Sequence, residues 1–288
     1  MTVASALRAV AEGELATALD LLAEAPAGSR VAPRLMAYLE TSVHNGVYAA
    51  PSAFQEFIEF GGNPRLYRRT IEAVRSIHHA TRPTAVLDIG CGDGRVTAAT
   101  VGPSVALVDL VEPSSVLLGE AVARFPAGTG LQPHNRGIVE HLDATTTRWD
   151  VTQSTFAFHS LAPAARRATL GALADRTRHL VLVEFDVPDF ADGSMRHARY
   201  AADRYELGLA EYHDHPSVIS DFLMPVLVGQ FDPSTPRLTF EQSASSWQRD
   251  LAHAGFVDVE IEVIDDYWWA PAVVISARAS TGQWGDRR

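Results

Sequence analysis

The sequence holds one cysteine, Cys91, among its 288 residues. That excludes an intrachain disulfide and suits a reducing cytosol. Positive charge is scarce as well: 24 Lys plus Arg stand against 35 Asp plus Glu, for a formal net charge of -11. Proteins that hold nucleic acid offset phosphate charge with a basic face. DNA or RNA is therefore not expected as the main partner, and Arg65, Arg68, Arg69 and Arg75 fit one solvated helix face equally well. Long apolar runs are missing too. The segment 267–275 is among the most apolar, yet it is too short to span a bilayer and contains Pro271. Arg8, Glu12 and Glu14 stand where a signal peptide needs an apolar stretch. The expectation is a cytoplasmic protein with no membrane partner. No internal repeat, coiled coil or low-complexity tract is evident.

What is present is a large supply of core material, with 47% hydrophobic residues. A chain of this length can bury a sizeable core, as one large domain or as a core domain with an appendage. Residues 1–80 read as helical. Leu15, Leu19 and Leu22 recur at helical spacing, and Asn63-Pro64 offers an N-cap and a first-turn proline. Tyr67, Ile71, Val74 and His78 then fall on one face. From Thr84 the pattern changes to short apolar runs at 85–89, 105–111, 138–142, 151–158 and 180–185, with helical segments at 95–100, 115–124 and 163–176 between them. Strands alternating with helices predict a parallel sheet covered on both faces. Residues 187–240 interrupt the alternation and read as a mostly helical insertion or lid. A helix over 240–254 and strands over 257–264 and 272–277 close the core, which spans 81–280; a frayed tail, 281–288, follows.

The pattern at 86–95 carries the chemistry: Val-Leu-Asp-Ile-Gly-Cys-Gly-Asp-Gly-Arg. A strand ends at Asp88, glycines alternate at Gly90, Gly92 and Gly94, and a helix begins. Missing β-carbons let a ligand approach the backbone, and the first amides of a helix are free to donate. The turn lies at the carboxyl end of a strand, where open α/β sheets bind ligands. Nicotinamide and flavin folds use Gly-x-Gly-x-x-Gly to seat a pyrophosphate. Here the third glycine comes one residue early. The Asp88 carboxylate would repel a pyrophosphate but can accept from an ammonium group.

The segment Asp88-Ile89-Gly90-Cys91-Gly92-Asp93-Gly94 resembles motif I of the class I, Rossmann-like, S-adenosylmethionine-dependent methyltransferases. The resemblance covers about 84–280 and leaves 1–80 and 187–240 without a quotable motif. It implies an α/β fold with a doubly wound, mostly parallel seven-stranded sheet, carrying an N-terminal helical region and a helical insertion. It implies S-adenosyl-L-methionine as cofactor and S-adenosyl-L-homocysteine (SAH) as its product. Glu112, followed by Pro113, ends the next strand and lies 24 residues after Asp88, about where an acid meets a ribose hydroxyl. In the resemblance it holds both ribose hydroxyls, with Asp109 as the competitor inside the strand. Asp143 with Ala144 is the implied contact to adenine. Trp149-Asp150-Val151, continuing to Leu161, resembles motif IV, with Ser154 and Thr155 lining the donor site. Cys91 reads as packing within the turn.

A small-molecule acceptor is expected, through O, N or C. His159 is the candidate base, against a structural histidine capping a turn. Glu184 and Asp186 end the following strand, as base, as partners of a cationic substrate, or as plain loop acids. Glu211-Tyr212-His213-Asp214-His215 is the most polar group of the insertion and reads as substrate contact or solvated loop; no metal site is expected there. Tyr67, Tyr48 and other aromatics, with Trp268 at a hairpin tip, are candidates for an apolar acceptor pocket. A nicotinamide-dependent oxidoreductase and a non-catalytic cofactor-binding scaffold are the competing readings. The sequence leaves a homodimer open.

Overall fold

The computed structural model describes residues 2–41 and 51–280. Tyr48 and the tail 281–288 lie outside the described residues. The chain opens with helices α1 (Thr2–Ala11), α2 (Leu15–Ala23), α3 (Val31–Glu40), α4 (Pro51–Glu59) and α5 (Asn63–Thr81). Strands and helices then alternate: β1 (Ala85–Ile89), α6 (Arg95–Thr100), β2 (Leu107–Val111), α7 (Ser115–Ala123), β3 (Leu131–His134), α8 (Ile138–Ala144), β4 (Trp149–Thr155), α9 (Pro163–Ala174) and β5 (Thr177–Phe185). A helical stretch follows, with α10 (Met195–Glu211), α11 (Pro216–Val218), a widened turn at Ile219–Leu223 and α12 (Met224–Gly229). The chain returns through α13 (Ala244–Ala254), β6 (Phe256–Asp266) and β7 (Pro271–Ala279).

These elements form two compact units. One gathers the described residues of 1–65, 188–239 and 267–270; the other gathers those of 66–187, 240–266 and 271–288. The division falls inside α5, so most of that helix belongs with the sheet rather than with the N-terminal helices.

In the helical unit, α1 packs on α2 and α10, and α2 packs on α3. Glu206 of α10 accepts from Ser29 Oγ at 2.5 Å, Arg30 N at 2.8 Å and Val31 N at 3.2 Å. A carboxylate thus satisfies the first amides of α3, where the helix dipole favours negative charge.

The sheet unit holds seven strands in the order β3-β2-β1-β4-β5-β7-β6. Neighbours among β1 to β5 run parallel, and β7 runs antiparallel to both β5 and β6. Both faces are covered, because side chains alternate along each strand. On one face Leu87, Trp149, Leu182 and Ile275 pack with Leu142 of α8, Leu170 of α9 and Leu251 of α13. On the other, Val86, Val151 and Val181 pack with Val74 of α5 and Val96 of α6. Tyr67 and Ile71 join that second cluster, as their helical spacing predicted. Among the described residues no helix is long and apolar enough to cross a membrane.

Two local expectations are overturned. The apolar run at 138–142 is helix, not strand. Ile138 and Leu142 are buried four residues apart, which is a helical repeat. The third strand is instead Leu131-Gln132-Pro133-His134, at the sheet edge. Proline lacks an N–H and is tolerated at edges, and there Pro133 hid the strand. Asn63 is also not an N-cap. It lies within α5, and its side chain donates to Phe57 O and Tyr212 Oη, both at 2.6 Å.

Candidate active site

The glycine turn sits at the carboxyl end of β1 and is tied to the end of β2. Gly90 N and Cys91 N both donate to Val111 O, at 2.8 and 3.3 Å. Gly90, Gly92 and Gly94 have φ of 65°, 54° and 74°, a region that favours glycine. Their surroundings differ. A Cβ on Gly90 would stand 2.4 Å from Ala157 Cβ, and one on Gly94 would stand 2.8 Å from Ala121 Cβ in α7. A Cβ on Gly92 would meet no atom within 4 Å. Gly90 and Gly94 therefore permit close packing, while Gly92 faces open space. Asp93 clips the turn to its neighbours, pairing with Arg95 at 2.8 Å and Arg124 at 2.6 Å. Burial works against its charge, but the Arg95 hydrogen bond and the arginine charges hold its carboxyl below the usual range.

Cys91 is buried against Val108, Leu110, Leu118 and Ala121. Burial and the nearby Asp88 and Glu112 charges push its thiol far up, so it is inert packing.

Asp88 lies beneath the turn and is buried. His78 Nε2 and Gln153 Oε1 are 3.0 Å apart, Gln153 Nε2 donates to Thr97 Oγ1 at 2.9 Å, and Thr97 Oγ1 donates to Asp88 Oδ2. This chain links α5, β4, α6 and β1. Burial pushes the Asp88 carboxyl up to about 7, against the pull of the Thr97 and Gln153 hydrogen bonds; the Glu112 charge adds to the rise. Asp88 Oδ1 is buried with no hydrogen-bond partner. Of this chain the sequence signalled only Asp88; Thr97, Gln153 and His78 come together through the fold.

Glu112 reaches back across the turn. Its Oε2 accepts from Gly92 N at 3.1 Å and its Oε1 from Ser114 N at 2.9 Å. Each carboxylate oxygen has a second lone pair, so two acceptor positions remain. Pro113 beside it is exposed. Asp109 is directed elsewhere, between His134 Nε2 and Trp149 Nε1, both at 2.7 Å.

Asp143 and Ala144 are misplaced by the strand reading of 138–142. They are exposed at the last turn of α8. The adjacent carbonyls of Leu142 and Thr145 accept from Arg176, just before β5 begins. That is the amino edge of the sheet, opposite the glycine turn. The residue after β3 is Asn135, whose Nδ2 donates to Glu112 O at 3.0 Å and Pro113 O at 2.9 Å. The sequence reading missed Asn135 because it missed β3. Ser154 is buried on β4, and its hydroxyl donates to Ile89 O at 2.9 Å. It braces the end of β1.

His159 and Glu184 come together where β4 and β5 end. Glu184 Oε1 accepts from the backbone N–H of Phe158 at 2.8 Å and of His159 at 3.2 Å, and Oε2 lies 2.7 Å from His159 Nδ1. One buried carboxylate therefore sets both the loop and the ring. Burial favours neutral imidazole, but the Glu184 charge and hydrogen bond overcome it and raise His159 to about 9. His159 O accepts from Phe240 N at 2.8 Å. Arg166, buried and not anticipated, donates to Phe240 O at 2.7 Å and to Gln242 Oε1 at 2.5 Å, stacking over Trp247. Asp186 is separate: its Oδ1 accepts from Ala244 N at 2.7 Å, at the start of α13.

Tyr67 is half-buried beside the turn. Its ring meets Phe156 edge-on at 6.1 Å, and the Arg95 guanidinium lies 5.1 Å over it. Phe156 in turn stacks on Phe185 at 4.9 Å. Phe156 has φ 52°, a strained choice for a bulky residue that clusters at functional sites. The other proposed substrate contacts belong to the helical unit, Glu211 at its surface and Tyr212 and Trp268 in its interior. Glu211 accepts from Gly62 N at 2.8 Å, Tyr212 is fully buried, and Trp268 packs edge-on to Tyr205 at 5.5 Å. A Cβ on Gly208 would stand 2.8 Å from the Trp268 ring. Trp268 and Tyr212 are core residues. His213 pairs with Asp214 on the surface, and His215 pairs with Glu56 at 2.7 Å.

No family model and no curated protein matches the chain. Solved structures do. An O-methyltransferase family protein from Burkholderia thailandensis superposes with a TM-score of 0.58 at 15% identity, over 87% of this chain and 68% of that one. A magnesium protoporphyrin IX methyltransferase from Synechocystis PCC 6803, with bound SAH, gives a TM-score of 0.49 at 17% identity, over 75% and 85%. The strand order, with its reversed strand β7 between β5 and β6, matches the methyltransferase fold. The chain has the Rossmann-like fold of the class I methyltransferases.

Proposed function

We propose that this chain is an S-adenosylmethionine-dependent methyltransferase of the cytosol that acts on an acidic oxygen of a small molecule. The observation that carries the reading is the cradle formed by Gly92 and Glu112. Its glycine faces open space, and its buried carboxylate keeps an unused acceptor on each oxygen. Two adjacent acceptors suit a ribose diol. Beneath the turn, Asp88 Oδ1 is a buried acceptor without a partner, one that an ammonium group or its water satisfies. A pyrophosphate fits poorly, because the acid Glu112 is bonded to the turn, the acid Asp88 is buried beneath it, and Gly94 is committed to α7.

The bound cofactor supplies an electrophilic methyl group on a sulfonium. The protein's own task is then to orient the acceptor and exclude water. Glu184 holds His159 with Nδ1 toward itself, which leaves Nε2 as the ring's other nitrogen. At neutral pH this imidazole is a cation. A cation there receives an acceptor that is already an anion, such as a carboxylate or an acidic phenol. Methylation of that oxyanion releases no proton and needs no base. Tyr67, Phe156 and Phe185 supply an apolar wall near the turn.

A second reading makes His159 a general base. The Glu184–Nδ1 contact favours it, since a carboxylate stabilises the imidazolium that proton abstraction creates. Titration calorimetry with SAH and with NAD tests the cofactor. Association with SAH alone is the expected result, and heat with NAD but none with SAH defeats the reading. Product detection across carboxylic acids, phenols, amines and aliphatic alcohols then tests the acceptor class.

A further inference from the structure

Three side chains converge on the sheet face opposite Asp88. Asp109 lies on β2, His134 ends β3, and His141 lies on α8. Each offers one ligand atom, and the three atoms lie within 4.8 Å of one another. His134 Nε2 is 2.7 Å from Asp109 Oδ1, and the two imidazole rings are 4.3 Å apart. Trp149 Nε1 donates to Asp109 Oδ2 at 2.7 Å, fixing the carboxylate so that Oδ1 faces the histidines. This is the outer-shell support that metal ligands require. The decisive detail is His141: it is only 3% exposed, and its Nε2 has no hydrogen-bond partner. Buried ring nitrogens are normally satisfied.

We propose that Asp109, His134 and His141 form a divalent transition-metal site of the zinc class. Two imidazoles and one carboxylate suit zinc, cobalt or nickel; magnesium and calcium take oxygen ligands. Three protein ligands leave a fourth position, and the His134 side chain is 24% exposed, so water can complete the shell. The ion would join β2, β3 and α8. The next residue, Asn135, holds the Glu112 backbone, so the ion would also brace one wall of the glycine-turn site. Metal binding at these three side chains is independent of methyl transfer.

The test uses the full chain, stripped with chelator and titrated with zinc and with cobalt. The expected results are one ion per chain, a raised Tm with zinc, and the visible bands of tetrahedral cobalt. His141→Ala should abolish the bands, whereas His213→Ala, at the exposed His213–Asp214 pair, should keep them. Zinc-edge X-ray absorption of the wild type should show two imidazoles with oxygen, and this readout stands if the His141 variant fails to fold. Absence of cobalt bands and of zinc stabilisation in the wild type overturns the proposal. So do bands that survive His141→Ala, or a zinc shell without imidazole.

Discussion

Gly90 and Ala157 approach so closely that a Cβ on the glycine would lie 2.4 Å from the alanine Cβ. The glycine turn after β1 and the loop that carries His159 are thus packed directly together. Gly90→Val should both clash with Ala157 and strain a φ of 65°. Such backbone strain alone costs about 1–3 kcal/mol. We expect a lower Tm and loss of SAH binding by calorimetry; unchanged affinity would show that the turn is not the cofactor seat.

Glu112 holds the other side of the same turn through Gly92 N and Ser114 N. Glu112→Ala leaves both amides unsatisfied and removes the proposed diol acceptors. SAH affinity should fall by roughly 1–3 kcal/mol, the scale of a lost charge-assisted hydrogen bond. Glu112→Asp, one methylene shorter, should recover part of it. Equal affinity in all three proteins would assign Glu112 to the fold alone.

The His159–Glu184 pair predicts a pH profile. His159 is raised from 6.5 to about 9. In the oxyanion reading, kcat/KM declines as pH rises through about 9, where the imidazolium is lost. In the general-base reading it climbs over the same range. Glu184→Gln removes the charge that raises His159 and should move the inflection to lower pH, a readout that simple loss of packing would not produce. The pair also contributes stability that is complete below pH 6.5 and disappears as pH rises through about 9.

Asp88 shifts stability in the same direction over a lower pH range, here as a penalty on the charged form. Its carboxyl rises from 3.8 to about 7, chiefly through burial. Between those values the folded chain binds more protons than the unfolded one, so this residue lowers stability as pH increases. Asp88→Asn should remove that dependence and raise the urea midpoint at pH 8. It should weaken SAH binding in the same experiment, because the partnerless Oδ1 is replaced. A variant with unaltered SAH affinity would confine Asp88 to the buried chain with Thr97 and Gln153.

Much of the site was legible because it is local in sequence. The run from Val86 to Arg95 places a strand, three positive-φ glycines and a helix start within ten residues, and Glu112 ends the next strand. Each rests on short-range backbone geometry. His159 and Glu184 were each visible as residues at strand ends, but their 2.7 Å contact was not. Asp143 failed for a related reason. Isolated apolar residues at 138 and 142 suit a helix as well as a strand, and only the pairing of β3 with β2 decides which edge of the sheet the following acid occupies.

By its own pattern, then, the chain determined an alternating α/β sheet with a glycine-lined turn at the end of its first strand. Backbone conformation and hydrophobic period are properties of neighbouring residues. The tertiary structure decided what each polar side chain does: Asp186 to Ala244, Ser154 to Ile89, Tyr212 to the helical core, and Asp109 with two histidines from separate elements. Those partners are distant in sequence, and only the packing of strands and helices brings them within hydrogen-bond reach.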